Sequence, residues 1–302
     1  MTPAVIFLVF NRPTLTRRVF ESIRAARPPQ LFVVADGPRV DRVGESEKCA
    51  EVRRLIEEGI DWPCELVRDY SDINLGCGKR VATGITNAFR RVEEAIILED
   101  DCLPDPTFFP FCEELLGRYR NEITVALIAG CSFQAPSEAS DRPSYYFSRY
   151  PHCWGWATWR RAWHFYDFEM RLWRGNRRWM KRMFKTSAER RWWNYNFAGT
   201  YSGLIDTWDF QWTLAVFSRG WSGIWPYHNL VCNLGFGPDA THTREVSGPS
   251  AALPVFAMKF PLVHPPNLGR DVAADEHTSR LFFRMPGIGR RLIGRLYRIL
   301  RL

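Results

Sequence analysis

The first 130 residues alternate short apolar runs with longer stretches in which apolar residues recur at helical spacing. This alternation is typical of strands connected by helices, so it predicts parallel β-α-β units with helices on both faces of the sheet. We therefore predict an α/β fold with a Rossmann-like mixed, mostly parallel sheet flanked by helices. The predicted strands are Val5–Phe10, Leu31–Ala35, Glu65–Arg68, Ala95–Leu98 and Thr124–Ala129, and the predicted helices are Thr14–Ala26, Glu45–Gly59, Val81–Val92 and Thr107–Arg120.

Four polar or glycine-rich loops follow the predicted strands. In sheets of this kind, ligands bind outside the carboxyl ends of the strands, close to a switch in strand order. We expect the four loops to face one cleft for this reason. They are Asn11–Arg12, Asp36–Arg39, Asn74–Arg80 and Glu99–Asp101.

The second half of the chain is rich in aromatic residues. All of the 13 tryptophans except Trp62 fall between Trp154 and Trp225. No repeat, low-complexity segment or linker separates the halves. We predict one composite domain whose halves, residues 1–130 and 131–265, share a cleft, followed by a basic helical tail over 266–302.

The composition of the chain limits the cellular compartments and the binding partners that we expect. The N-terminal apolar run has no basic flank or cleavage site, and no stretch approaches the roughly 20 apolar residues that cross a bilayer. We therefore expect a cytoplasmic location. The eight cysteines include no CxxC pair, which predicts reduced thiols without disulfides or a zinc site. The net charge of +8 suits a phosphate-bearing substrate or anionic lipid; no nucleic-acid fold signature accompanies it, so no nucleic-acid partner is expected.

The tail Ile288–Leu302 alternates arginine with leucine, isoleucine and tyrosine at near-helical spacing. One interpretation is an amphipathic helix on the anionic inner face of a membrane, which would make the protein peripheral there. The other is a helix packed on the domain with its arginines in solvent. Both interpretations satisfy the same pattern.

Three consecutive carboxylates, Glu99, Asp100 and Asp101, follow the predicted strand Ala95–Leu98. Neighbouring carboxylates repel one another unless a cation or a basic side chain neutralises them. A hard divalent ion, Mg²⁺ or Mn²⁺, that bridges a protein carboxylate and substrate phosphates fits this arrangement. The alternative is a solvated acidic turn in which Asp105 caps the next helix.

A second candidate carboxylate is Asp209, directly after Trp208. An apolar wall raises the pKa of a neighbouring carboxyl, which suits a general base that accepts a proton from a hydroxyl. The alternative is that Asp209 or Asp206 caps a helix and that Trp208 and Trp212, at i,i+4 spacing, belong to the core.

Two further segments contain candidate binding residues. Trp154 and Trp156 flank a glycine that would let a ring approach the backbone, although tryptophans are also common core residues. His242 follows a glycine-rich loop, where it is either a metal ligand or phosphate contact, or a solvated side chain.

In their order along the chain, these motifs resemble the nucleotide-diphospho-sugar transferases of GT-A fold. The resemblance is strongest to the N-acetylglucosaminyltransferase I type and to bacterial family 2-like glycosyltransferases. The matching elements are Asn11-Arg12-Pro13, Asp36, Glu99-Asp100-Asp101, Trp208-Asp209 and Asn233-Leu234-Gly235. Two positions depart from the family pattern: Trp225 stands in place of an arginine, and Phe210 in place of a second acid.

The resemblance implies metal-assisted transfer of a sugar from a nucleotide-diphosphate donor, expected to be a UDP-sugar, to a glycan or lipid-linked acceptor. Asp36 would contact the base, Glu99 and Asp100 the ribose and donor sugar, and Asp101 the metal. Asp209 would be the base of an inverting transfer.

The implied organisation assigns the donor to residues 1–130 and the acceptor to residues 131–265. Asn11, Arg12, Lys79 and Arg80 would lie on the donor side, where the cations would offset phosphate charge unless they are plain surface residues. The implied role of such a cytoplasmic enzyme is polysaccharide biosynthesis.

Three other functions are weighed against this one. A sugar nucleotidyltransferase would require a glycine-rich basic signature after the first strand, where Asn11-Arg12-Pro13 stands. A non-catalytic glycan-binding protein would need only the tryptophan-rich half and no acidic triplet. A nicotinamide dehydrogenase is disfavoured because no GxGxxG follows the first strand.

Overall fold

The computed structural model describes residues 2–134, 142–174, 178–236 and 253–283. The predicted ligand His242 and the tail Ile288–Leu302 lie outside these residues. No helix in the described ranges is long and apolar enough to cross a membrane.

Eight strands form one sheet in the order β3-β2-β1-β4-β8-β6-β9-β7, and two short strands pair separately. The pairs within β3-β2-β1-β4 are parallel, as is β6 with β9, whereas β8 and β7 run antiparallel to their neighbours. The strands are β1 Ala4–Val9, β2 Gln30–Ala35, β3 Glu65–Tyr70, β4 Glu94–Glu99, β5 Cys102–Pro104, β6 Val125–Ala129, β7 Tyr145–Ser148, β8 Trp156–Trp159, β9 Ser222–Pro226 and β10 Val231–Asn233.

Helices cover both faces of this sheet. A short 3₁₀ turn spans Arg171–Arg174. The α-helices are α1 Pro13–Ala26, α2 Glu45–Gly59, α3 Gly76–Phe89, α4 Phe108–Arg118, α5 Arg160–Trp163, α6 Arg178–Met183, α7 Ser187–Tyr201, α8 Asp209–Arg219 and α9 Val272–Phe282. The predicted α/β architecture, with its mostly parallel sheet, flanking helices and aromatic second half, is confirmed.

The buried residues divide into two cores because side chains alternate between the faces of a strand. Along β1, Val5, Phe7 and Val9 pack against the face covered by α1, α2 and α4. Ile6 and Leu8 pack against the opposite face, which α3, α7, α8 and α9 cover. Most of the buried tryptophans lie in this second core.

The parallel register gathers the carboxyl ends of three strands at one edge. Leu8 of β1 pairs with Glu99 of β4, and Val9 pairs with Ala35 of β2. The loops that follow β1, β2 and β4 therefore meet there, as parallel strands require.

Several elements differ from the prediction. The strands β5, β7, β8, β9 and β10 and the helices α5, α6 and α7 were not among the predicted elements. Strand β8 is a short aromatic segment that inserts between β4 and β6, so it lacks the pattern of the parallel strands. Helix α3 begins at Gly76, five residues before the predicted Val81, and no side chain near its own N-terminus caps it. The partners of its first N–H groups come from elsewhere in the chain.

Candidate active site

The acidic triplet lies at the end of β4 and in the turn to β5. Asp100 and Asp101 are buried, with 2% and 8% of their surface exposed, and Glu99 is half-buried. Three carboxylates in so little solvent repel one another strongly unless positive charge compensates them. The alternative of a solvated acidic turn therefore does not describe this site.

Arg12 supplies part of the compensating charge. Its guanidinium donates to Oδ1 of Asp100 and, at 2.9 Å, to Oδ2 of Asp101. Although burial works against the charged form, the two aspartates raise the pKa of Arg12 far above its usual range. One guanidinium against three carboxylates leaves the site formally two charges negative.

Burial, together with the neighbouring negative charge, raises the pKa of two carboxyls. Loss of hydration, opposed by Arg12, raises the pKa of Asp100 to about 6. Loss of hydration together with the nearby Asp101 raises the pKa of Glu99 to about 8. Oδ2 of Asp100 is buried and has no hydrogen-bond partner among the described residues. A buried carboxylate oxygen without a partner is costly, so this atom is suited to a cation or ligand.

The loop after β10 reaches the same carboxylates. Because β10 pairs with β5, the Leu234 N–H donates to the carbonyl of Asp101 at 2.7 Å. A Cβ atom on Gly235 would lie 2.1 Å from Oδ2 of Asp101, closer than any real contact. The backbone of this loop therefore lies directly against Asp101, and any other residue at position 235 would displace the carboxylate or the loop.

These residues fit a divalent ion that is held by one or two carboxylates and completed by substrate phosphates. The unpartnered Asp100 oxygen and the adjacent Asp101 would be its protein ligands. Mg²⁺ is usually held by one or two protein carboxylates and keeps water or phosphate oxygens as its other ligands. Within the described ranges, no three histidine, cysteine or acidic side chains are gathered as ligands of a single ion.

Asp36, the predicted base contact, is buried at the end of β2 and bonds to the loop before α3. It accepts from the N–H groups of Gly37 and Leu75 at 2.9 Å and from Gly76 at 3.1 Å. The Asn74 amide donates to it at 3.1 Å. Burial raises the pKa of Asp36, and these backbone donors oppose the shift. Its carboxylate thus orders the loop at this edge of the sheet.

Asp206 is a further residue of the site, to which sequence reasoning assigned only a local cap. Its carboxylate accepts from Cys77 N at 3.1 Å and from Gly78 N at 3.0 Å. It thus binds the N-terminus of α3, more than a hundred residues away in sequence. In the sequence, the Gly76-Cys77-Gly78 segment was the feature that could have indicated this contact, because glycines allow another part of the chain to approach the backbone closely.

Asp209 is the first residue of α8. Its Oδ1 accepts from the hydroxyl of Thr207 and, at 2.9 Å, from the Phe210 N–H. Asp209 also lies close enough to contribute to the raised pKa of Glu99. The structure therefore places Asp209 within electrostatic range of the acidic triplet, although no spacing in the sequence relates them.

The three predicted aromatic contacts have different environments. Trp156 is fully buried and stacks on Trp208, with ring centroids 5.5 Å apart, and Trp208 is 2% exposed. Both rings are core residues here, so neither presents a face to a ligand. Trp154 is half-buried and contacts Phe236 of the β10 loop edge-to-face at 5.6 Å.

The predicted donor-side residues also differ from one another. Lys79 is exposed. Arg80 is buried and donates to Asp69 at 2.6 Å. Its guanidinium therefore binds a carboxylate near the end of β3 and is not directed to a phosphate. Asn11 donates to Glu45 at 2.8 Å. Of the predicted cations, only Arg12 contacts the acidic triplet.

A half-open cavity of about 670 Å³ lies beside Asp206 and Thr207. Aromatic, hydroxyl and charged side chains share its wall. Oε1 of Gln211, one of the lining residues, is buried without a hydrogen-bond partner in the described chain. The other residues that line it include Phe168, Glu169, Arg171, Thr200 and Tyr201.

No protein-family model matches the sequence, and no curated protein matches it. Among solved structures, the mannosyltransferase PcManGT from Pyrobaculum calidifontis in complex with GDP-Man and Mn²⁺ is similar over 52% of this chain and 44% of its own, with 17% identity and a TM-score of 0.34. HddC from Yersinia pseudotuberculosis is similar over 44% of this chain and 59% of its own, with 9% identity and a TM-score of 0.29. A UDP-glucose pyrophosphorylase complexed with UDP-glucose is similar over 49% and 62%, with 14% identity and a TM-score of 0.27. This chain therefore spans between 44% and 62% of the length of these proteins, and each similarity is partial.

Proposed function

We propose that this chain is a glycosyltransferase that uses a nucleotide-diphosphate sugar, expected to be a UDP-sugar, with the help of a divalent ion. The observation that supports this most directly is the site at the strand ends. Three neighbouring carboxylates and one compensating arginine lie there, and a separate carboxylate, Asp209, is close enough to act electrostatically on Glu99. A negative, partly desolvated site of this kind suits a metal-bound diphosphate.

The donor half would consist of residues 1–130. Asp101, with the unpartnered oxygen of Asp100, would hold Mn²⁺ or Mg²⁺ against the diphosphate. When bound, the ion would offset the charge that develops on the leaving diphosphate. Arg12 would keep both aspartates in place and limit their mutual repulsion. Gly235 would keep the loop after β10 against the ion-binding carboxylate.

Asp209 would act as the general base of a single displacement. Its Oδ1 already accepts two hydrogen bonds, from Thr207 and Phe210, which fix the orientation of the carboxylate. Oδ2 would take the proton of the acceptor hydroxyl while that oxygen bonds to C1 of the sugar. The bond from C1 to the diphosphate oxygen breaks in the same step, and the configuration at C1 is inverted.

The acceptor half would extend over residues 131–265, with the acceptor in the cavity beside Thr207. Aromatic rings and hydroxyl groups in its wall suit a polyhydroxylated ring. Glu169 and Asp206 make that wall acidic, and Arg171 is paired with Asp167 at 3.4 Å. This charge disfavours a phosphate and favours a neutral sugar, as in a glycan or the sugar portion of a lipid-linked acceptor.

The experiment that tests the proposal is calorimetric titration of UDP, GDP, CDP and dTDP, each with and without Mn²⁺. We expect micromolar binding of one nucleotide by the wild type and its loss in Asp101→Ala or without metal. Asp105→Ala is the matched control, because Asp105 is four residues away and its carboxylate accepts from the N–H and hydroxyl of Thr107 and not from Arg12. If the wild type binds no nucleotide under any condition, the proposal is wrong and the chain is better explained as a glycan-binding protein.

A further inference from the structure

The N-terminus of α3 is held by two carboxylates from distant parts of the chain. The first N–H groups of a helix have no partner within the helix and need one from outside. Asp36 accepts from those of Leu75 and Gly76, and Asp206 accepts from those of Cys77 and Gly78. The first four donors of α3 are therefore shared between the end of β2 and the loop before α8.

The contact with Asp206 depends on two glycines. A Cβ atom on Gly76 would lie 2.6 Å from Oδ2 of Asp206, and one on Gly78 would lie 2.6 Å from Oδ1. The φ angle of Gly76 is +81°, which other residues rarely adopt. Any side chain at either position would push the Asp206 carboxylate away, so both glycines serve this long-range contact.

The same loop carries the proposed base. Thr207, next to Asp206, donates from its hydroxyl to Asp209, and its carbonyl accepts from the Gln211 amide at 2.7 Å. A short chain of bonds thus connects the α3 amides to the carboxylate of Asp209. Helix α3 packs on β1 and β2. These hydrogen bonds therefore connect Asp209 to the same part of the sheet as Arg12, which follows β1.

We propose that Asp206 is a positioning residue that fixes Asp209 relative to the acidic triplet by anchoring its loop on α3. The inference rests on the proposed role of Asp209 as the base. A misplacement of about 1 Å at a reacting group costs roughly 100-fold in rate, so loss of the anchor reduces turnover without removing a contact to the donor.

The test compares Asp206→Asn, Asp206→Ala and a control, Asp271→Ala. Asp271 plays the same structural role elsewhere: it accepts from Ala274 N at the start of α9 and from the Tyr227 hydroxyl. The measurements are release of nucleoside diphosphate from the sugar nucleotide, nucleotide affinity by calorimetry and amide hydrogen exchange.

We expect kcat to fall about 100-fold in Asp206→Ala and about tenfold in Asp206→Asn, which keeps one acceptor oxygen. Nucleotide Kd should stay within about twofold of wild type, because the donor contacts are intact. Amide exchange should accelerate around Cys77–Gly78 and over residues 205–211. Asp271→Ala should lose about as much thermal stability as Asp206→Ala but keep the wild-type kcat.

Three outcomes overturn the inference while leaving the proposed function intact. One is wild-type kcat in an Asp206 variant whose α3 amides exchange faster. Another is an unchanged kcat with a nucleotide Kd raised about tenfold or more, which would make Asp206 a donor contact. The third is an equal fall of kcat in Asp271→Ala, which would show a general stability effect. Absence of turnover in the wild type would instead remove the proposed function itself. If Asp206→Ala does not fold, Asp206→Asn decides between these outcomes.

Discussion

The acidic edge at the ends of β1, β2 and β4 and the aromatic core around α7 and α8 are both dense in one residue type. At the edge, like charges lie together with an unpartnered oxygen, and loss of hydration raises the pKa of Glu99 to about 8. In the core, rings pack against one another: Trp163 stacks on Tyr166 at 4.2 Å and Trp193 on Phe184 at 5.9 Å. The groups without a hydrogen-bond partner among the described aromatic residues of this core are neutral indole N–H groups, those of Trp156, Trp193 and Trp212.

The difference shows which clusters point to function. A buried carboxylate cluster works against folding, so its presence calls for a ligand or a compensating charge. A tryptophan cluster stabilises the fold in any case, and ring contacts contribute about 0.5–1.5 kcal/mol beyond the area they bury. Removing a residue should therefore affect mainly stability in the aromatic core and mainly activity at the acidic edge.

The largest effect on stability is expected from Trp156→Ala. Trp156 is fully buried and contacts Trp163, Trp208 and Trp212, so truncation leaves a large cavity. The free energy of unfolding should fall by about 3–5 kcal/mol, measured by urea denaturation. Trp154→Ala is the matched control. Because the Trp154 ring is only half-buried, its removal should lower the free energy of unfolding clearly less than Trp156→Ala does. Equal losses would mean that Trp154 is as much a core residue as Trp156.

The opposite pattern is expected at the acidic edge. Asp101→Ala should lower turnover of the sugar nucleotide by about 100- to 1000-fold, which corresponds to about 3–4 kcal/mol of transition-state stabilisation. The free energy of unfolding should change little, because the variant also removes the repulsion between Asp101 and Asp100. If Asp101→Ala lost stability and retained activity, the acidic edge would be a structural element and not the site of activity.

A smaller effect at the same edge is expected from Gly235→Ala, whose Cβ would lie 2.1 Å from the Asp101 carboxylate. Either the loop after β10 or the Asp101 carboxylate must shift, and we expect turnover to fall about tenfold with a similar loss of Mn²⁺ affinity. Gly117→Ala is the control, since a Cβ there meets nothing within 4 Å, and it should stabilise α4 slightly. Unchanged turnover in Gly235→Ala would show that this loop need not contact Asp101.

The smallest effect concerns pH and the aromatic core. Loss of hydration lowers the pKa of His152 to about 3, and its ring packs against Phe133 and Trp225. Since the pKa in the unfolded chain is about 6.5, the unfolded state binds the extra proton as the pH falls below that value. His152 should therefore destabilise the fold progressively between about pH 6.5 and pH 3, and not above.

His152→Asn removes this titration and keeps an acceptor for the Trp154 N–H, which donates to Nδ1 at 3.4 Å. Between pH 7 and pH 5.5 the wild type should lose about 1.3 kcal/mol more unfolding free energy than the variant. Identical losses, measured by urea denaturation at both pH values, would mean that His152 is hydrated in the folded protein.

The parallel strands of the first 130 residues and the four helices between them were predictable, because apolar periodicity depends on neighbours along the chain. The same holds for the acidic triplet, whose place after a buried strand identified it. Strand β8 and the start of α3 were not predictable. Strand β8 is defined by pairing with β4 and β6, and α3 takes its first partners from Asp36 and Asp206.

By itself the sequence determined the α/β class, the cleft loops at the ends of β1, β2 and β4, and the candidate carboxylates. It could not distinguish tryptophans that face a ligand from tryptophans that fill the core, since both uses favour the same residue. The tertiary structure alone decided that Trp156 and Trp208 are buried, that Arg12 compensates the triplet, and that the loop of Asp209 is anchored on α3. These are contacts between residues far apart in sequence, and only the packing of the sheet and its helices determines which of them form.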